Sequence, residues 1–301
     1  MNMPSDNAGN NTLRQRLHFV ADYWTLTKPE VNFLVLVSTL VGFYLATRGP
    51  LDFWRLFHTL MGTLLVASGT GTLNQYIERQ SDRQMRRTAN RPLPAGRLGP
   101  AQALWFGIVL AGLGGWELWA FANPLTSTLA LSTLVAYLAL YTPLKKRTPL
   151  CTLVGAFPGA MPPLIGWAAV RNSLGLEAWV LYAILFLWQF PHLLAIAWMY
   201  REDYARAGLQ LLPRNDCEGR RTAAQIVGYL LALIPASLMP AFLGQAGEAY
   251  LVGALLLGLG FFLYGIRMAL HRSNSLARRL VLASIVYLPV VFTLLMVDRT
   301  G

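Results

Sequence analysis

Asn74, Glu78 and Asp82 recur at intervals of four residues in the stretch Asn74-Gln-Tyr-Ile-Glu78-Arg-Gln-Ser-Asp82. On a helix that spacing puts all three on one broad face. Two carboxylates and an amide oxygen form a hard donor set. It suits Mg²⁺, an ion usually held by one or two carboxylates together with substrate phosphates and water. Arg86, Arg87 and Arg91 follow closely, and guanidinium forks match phosphate oxygens. A solvated helix end whose acids pair with nearby arginines fits the same spacing. Asn74 favours the metal reading, because it lies about one turn inside an apolar run, where a polar side chain is costly without a partner.

A second acidic pair, Glu202 and Asp203, stands between Arg201 and Arg206. Two acidic helix ends on one membrane face would clamp a diphosphate through two metal ions. A juxtamembrane charge cluster that fixes topology is the alternative. Between the two acidic stretches lies Tyr141-Thr-Pro-Leu-Lys145-Lys146-Arg147, either a phosphate clamp or a topological anchor. His192 precedes Tyr200 by eight residues, which at 1.5 Å per residue is roughly 12 Å inside a helix end. A histidine at membrane depth suits a metal ligand or a base, and also a hydrogen-bonded structural role. His18, His58 and His271 look peripheral, and Glu117 looks structural.

The elements that position these residues follow from composition. Of 301 residues, 55% are hydrophobic and 13% charged, against about 25% charged in soluble domains. Apolar runs cover 31–47, 54–76, 101–121, 124–142, 150–170, 178–200, 222–243, 248–270 and 279–297. Most approach the ~20 residues that span a bilayer as a helix. Barrel strands would alternate polar and apolar residues, and these runs do not. The expected fold class is all-α, a polytopic membrane helical bundle of about nine transmembrane helices.

Of the 25 Lys and Arg residues, only Arg48, Arg55, Arg171 and Arg299 fall on one side of that bundle, against 21 on the other. The positive-inside rule then sets the N-terminus in the cytoplasm and the C-terminus in the periplasm. The same distribution, basic loops between apolar runs, explains the net charge of +11 without a nucleic-acid partner. Cys151 and Cys217 form no disulfide framework and lie at the cytoplasmic side. No cleaved signal peptide is expected in the polar start of the chain. We divide the sequence into a polar N-terminal arm, 1–22, and one transmembrane domain, 23–301, with cytoplasmic loops 77–100, 143–149, 201–221 and 271–279. Two of those loops are long and rich in charge, so function is expected at that face. A secondary transporter would place its acids near the midplane instead.

These residues carry a resemblance. The chain resembles the UbiA superfamily of intramembrane prenyltransferases, whose first motif is N-D-x-x-D-x-x-x-D. Here it stands as Asn74-Gln75-x-x-Glu78-x-x-x-Asp82, followed by a similar Arg87-Thr-Ala-Asn90-Arg91-Pro-Leu-Pro94 and by Tyr141-x-x-x-Lys145. Leu26-Thr-Lys28-Pro29, the run Gly155 to Trp167, Trp188-Gln-Phe-Pro-His192 and Asp203-Tyr-x-x-Ala-Gly point within it to the branch that farnesylates heme. The resemblance covers residues 22–297.

It implies a UbiA-like bundle in the bacterial inner membrane, farnesyl diphosphate as donor, heme B as acceptor and Mg²⁺ as cofactor. Asn74, Glu78 and Asp82 would ligate the metal, with Glu202 and Asp203 at a second position. Arg87, Arg91, Tyr141, Lys145 and Arg201 would bind diphosphate, and His192 and Lys28 would face heme. The catalytic group would be Asn74, Glu78, Asp82, His192 and Asp203. A vinyl group of heme B would attack the farnesyl cation and water would complete the product, heme O. Handover to a heme-A-forming enzyme or to terminal oxidase assembly would follow. Two departures stand out. Gln75 and Glu78 replace aspartates, and the second acidic motif is thinned, with Tyr200 and Tyr204 where acids are expected. A prenyltransferase acting on a quinone precursor or another aromatic or tetrapyrrole acceptor is the alternative.

Overall fold

The structure, a computed structural model, describes residues 19–213 and 215–300. Most of the N-terminal arm, with Arg14, Arg16 and His18, lies outside the described residues, as do Arg214 and Gly301. Among the described residues, nine helices are long and apolar enough to cross a membrane. They are α1 (Pro29–Ala46), α2 (Phe53–Asp82), α3 (Pro100–Phe121), α4 (Pro124–Leu144), α5 (Cys151–Arg171), α6 (Leu176–Met199), α7 (Arg220–Phe242), α8 (Glu248–His271) and α9 (Asn274–Val297). Each falls on one of the nine expected runs. In hydrocarbon a backbone must satisfy its own polar groups, so long apolar runs become helices whatever their intrinsic propensity.

Helix α2 outlasts its apolar run. Its apolar run ends near residue 76, yet the helix continues to Asp82. Thirty residues make a rod of about 45 Å, against a hydrocarbon core of about 30 Å. The last turns, which carry Glu78 and Asp82, therefore project past the apolar layer. Helix α2 lies closely on α3 because small residues repeat along both. A Cβ on Gly69 would sit 2.7 Å from Gly107 O, and one on Gly114 would sit 2.6 Å from Gly62 O. Such stripes let membrane helices approach at backbone distance.

Helix α4 is not uniform. After Pro124–Val135 it widens into a π-helical turn over Ala136–Tyr141 before closing at Thr142–Leu144. Helix α5 breaks after Gly159 and resumes at Pro162, where proline suits the first turn of a helix.

The main core joins α5 and α6 to α7, α8 and α9, around buried Leu164, Leu181, Ile184, Ile226, Tyr250 and Phe292. Helix α1 packs between α2, α5 and α9. At the end opposite the acidic motif, Arg299 donates to Tyr44 O at 2.9 Å and also to Thr47 O, fastening the segment after α9 to the end of α1.

The loops at the other end hold one another. Thr88 Oγ1 donates to Asp82 O at 2.8 Å, turning the chain after α2 back over its own end. Gln210 N donates to Lys145 O at 2.6 Å, and Thr152 Oγ1 donates to Leu211 O at 3.3 Å. Met85 packs with Ala207 and Leu209. The segments 83–99, 145–149 and 200–213 thus form one roof over the end of α2. Asp216 opens α7 by accepting from Arg221 N (3.0 Å), Thr222 N (2.8 Å) and Thr222 Oγ1 (2.6 Å).

Candidate active site

Beneath that roof is a cavity of about 140 Å³. Lys28, Asn74, Glu78, Asp82, Arg87, Arg91, Tyr137, Tyr141 and Lys145 all line it. The expected i, i+4, i+8 face of α2 therefore exists, and all three of its side chains line one cavity.

Each oxygen donor faces a cation. Lys28 Nζ donates to Asn74 Oδ1 at 2.8 Å. Lys145 Nζ lies 2.8 Å from Glu78 Oε1, and Arg91 Nη1 donates to Asp82 Oδ2 at 2.8 Å. The orientation of the Asn74 amide follows from its network. Thr142 Oγ1 donates to Tyr137 O, so it accepts from Asn74 Nδ2 at 3.2 Å, and the amide oxygen turns to Lys28. The local sequence explains the cations. Lys28 has a left-handed backbone (φ 53°) between two helical segments, and Arg91 arrives on the turn that folds back over Asp82.

Crowding of positive charge shows in the lysines. Burial, then the charges of Arg91 and Lys145, lower the pKa of Lys28 to about 7. Burial also opposes the charge on Lys145, but Tyr141 and the Glu78 carboxylate outweigh it and hold its pKa well above that of an ordinary lysine. Four basic side chains and two acids leave the cavity with a positive excess suited to a polyanion.

The donors also fit a hard divalent cation. Glu78 Oε1 is buried and makes no well-angled hydrogen bond despite its contact with Lys145. Among the described residues no three His, Cys, Asp or Glu side chains converge as a protein-only metal cage. Two carboxylates and one amide leave positions for phosphate oxygens and water, as Mg²⁺ usually requires.

The second acidic stretch is placed differently from expectation. Asp203 pairs with Arg206 one turn along the short helix Arg201–Arg206, and Glu202 is exposed. Arg201 donates to Trp198 O and to Asn274 Oδ1, both at 2.8 Å. None of the three lines the cavity. An i, i+3 arginine neutralises the acid that was read as a ligand. What this loop contributes instead is Tyr204, Leu209 and Leu211. Arg87 reaches the site beside that loop, 3.5 Å from the Tyr204 hydroxyl and over the Tyr200 ring.

His192 also stands apart. Its Nδ1 lies 2.7 Å from Ser284 Oγ on α9, and its ring stacks on Trp188. Ser284 Oγ donates to Val281 O, so the imidazole supplies the proton of the shared bond. The α6 residues that wall the cavity are Leu193, Ile196 and Ala197. Lys28, expected to face heme, lines the same cavity as the three oxygen donors. Tyr137 was missed by sequence reasoning. The signal was its i, i+4 relation to Tyr141, whose ring centroid is 4.9 Å away.

Relatives agree with this architecture. The model of the UbiA prenyltransferase family matches residues 35–288. A protoheme IX farnesyltransferase from Solibacter usitatus (strain Ellin6076) is 53% identical, with 93% of this chain and 99% of that protein covered. One from Koribacter versatilis (strain Ellin345) is 47% identical, with 93% of each covered. The fold is similar to that of a UbiA homolog from Archaeoglobus fulgidus bound to DMAPP and Mg²⁺. Its TM-score is 0.66 and identity 13%, with 92% of this chain and 99% of that one covered. The motif on α2, the nine membrane helices around it and these matches lead to one conclusion: the chain belongs to the UbiA prenyltransferase family.

Proposed function

We propose that this protein transfers farnesyl from farnesyl diphosphate to a vinyl group of heme B, with addition of water, to give heme O and diphosphate. The observation that carries the donor half is the set of three oxygen donors, each opposed by Lys28, Lys145 or Arg91, in one small buried cavity. The acceptor half rests on the relatives named protoheme IX farnesyltransferase.

Mg²⁺ held by Asn74, Glu78 and Asp82 would supply neutralisation of the leaving diphosphate. The side chains do the rest. Lys145 and Arg91 now satisfy the two acids and Lys28 the Asn74 amide oxygen, and all three turn to phosphate oxygens when the diphosphate arrives. Arg87 closes the same head group from the loop. The C1–O bond of the donor breaks with its electron pair leaving on diphosphate, and the allylic cation forms beside Tyr137 and Tyr141. Their ring faces stabilise positive charge, as the position of Lys145 Nζ 4.4 Å from the Tyr141 centroid illustrates. The vinyl terminus then bonds to C1. Water adds to the resulting porphyrin-side cation and loses one proton to solvent. The roof of loops keeps bulk water from the first cation.

Glu202, Asp203 and Arg201 support the roof in this reading and hold neither metal nor phosphate. His192 is a positioning residue that ties α6 to α9. The charge asymmetry of the loops supports a site at the cytoplasmic face of the bacterial inner membrane, with the N-terminus inside and the C-terminus outside. Residues 23–301 act as one unit. Heme O would pass to a heme-A-forming enzyme or to oxidase assembly.

The test is turnover in nanodiscs with heme B, farnesyl diphosphate and Mg²⁺, read by mass spectrometry. A heme gaining farnesyl plus hydroxyl, lost with EDTA, is expected. Prenylation of a quinone precursor with heme unchanged would overturn the acceptor and keep the donor site.

A further inference from the structure

A second cavity, of about 460 Å³, opens between α5, α6 and α7 and shares Thr152 and Leu211 with the first. Its chemistry is the reverse of its neighbour's. Phe190 and Tyr229 stack there with centroids 3.8 Å apart and planes within 5°, and Leu153 and Leu194 line the same space. Arg147 and Arg221 stand at its rim. Arg221 is set by the Asp216 cap, which accepts its backbone N–H at 3.0 Å. Helix α6 is the partition: Phe190 and Leu194 face this cavity, while Leu193, Ile196 and Ala197 face the diphosphate cavity. Leu150 and Leu153, 63% and 38% exposed, open its outer side towards lipid.

A volume of this size is typical of small-ligand pockets, which pair an apolar, aromatic lining with a few convergent polar groups. The occupant that matches is a flat apolar ring with two carboxylates on one edge. Heme B has that form, with its vinyl groups away from the propionate edge. We propose that this second cavity is the acceptor seat, with the propionates on Arg147 and Arg221 and the macrocycle against Tyr229, whose other face is backed by buried Phe190. A reactive vinyl group then reaches the diphosphate cavity across the Thr152–Leu211 wall. This rests on the heme reading above. The seat lies on the α6 faces away from Ser284, so it excludes His192 as the iron ligand.

Two comparisons test it, on full-length protein in nanodiscs. In the unaltered protein, heme B and its propionate dimethyl ester are compared as acceptors. The ester's KM is expected to rise about tenfold, the loss of two charge-assisted contacts at a solvent-exposed rim. In an Arg147→Gln/Arg221→Gln variant, the KM for heme B should rise by the same factor and the ester penalty should vanish. The KM for farnesyl diphosphate stays constant, which reports an intact fold, and the double lysine variant restores part of the heme affinity. Equal KM for heme and ester in the unaltered protein would overturn the seat even if the variants fail to fold. Loss of the heme Soret shift on His192→Ala, with the arginine variant unchanged, would also overturn it. If heme is not prenylated at all but still binds with the arginine dependence, the heme-transfer reading falls and the seat survives. Displacement of heme by anionic phospholipid vesicles, without any ester effect, would assign the groove to a lipid.

Discussion

Glu78→Gln and Asp82→Asn preserve size and remove one negative charge each from a cavity that already has a positive excess. Both should lower kcat by at least about a hundredfold, the scale on which transition-state charge stabilisation is lost, while the protein still inserts in membranes. Near-normal turnover in both would refute their part in metal binding. His192→Ala should behave otherwise. It breaks the contact to Ser284 and the stacking on Trp188, at about 1–3 kcal/mol for a buried polar group left unpaired. Lower thermal stability with an unchanged KM for heme is expected; the reverse pattern would make it an iron ligand. The donor trio was legible in the sequence because i, i+4, i+8 spacing is local. Its cations were not, since Lys28 reaches Asn74 from 46 residues away and Lys145 reaches Glu78 through tertiary packing. Asp203 stays out of the cavity for a local reason, its own partner Arg206.

Among the elements, nine apolar runs read from composition become nine helices, because lipid leaves the backbone little choice. The continuation of α2 to Asp82 was legible in the i, i+4, i+8 spacing of its oxygen donors although hydropathy stops earlier. The π-helical turn of α4 was not, because Ala136–Tyr141 reads like any apolar helix. The α2–α3 contact predicts that Gly69→Val, whose Cβ would meet Gly107 O and Ala111 N, destabilises by about 1–3 kcal/mol through overpacking. Activity should fall too, since Asn74 lies just beyond; unfolding in mixed detergent measures it. At the start of α7, burial opposes the charge on Asp216, but hydrogen bonds from Thr222 and Arg221 hold its pKa below the usual range. A lowered carboxyl pKa stabilises above the unfolded value near 4 and is lost as pH falls through the folded one. The melting temperature should therefore drop between pH 5 and pH 3 more in the unaltered protein than in Asp216→Ala. The variant should start lower by about 0.5–1 kcal/mol of cap stabilisation.

At the scale of the whole molecule, orientation can be read without mutagenesis. Cys217 is exposed on the roof side and Cys151 is buried. A membrane-impermeant maleimide should leave both unlabelled in intact spheroplasts and label Cys217 alone once the cells are lysed. Labelling in intact spheroplasts would invert the topology. The clasp from Arg299 to the carbonyls of Tyr44 and Thr47 bears on how the protein is made. The helix that bears the donor trio emerges from the ribosome early and can pair at once with the next helix. The first helix must wait beside it until the last is inserted before its far end is latched. Biogenesis therefore closes like a zip whose pull tab follows the ninth helix, and a chain stalled before residue 299 would hold a nearly finished site in an unlatched bundle.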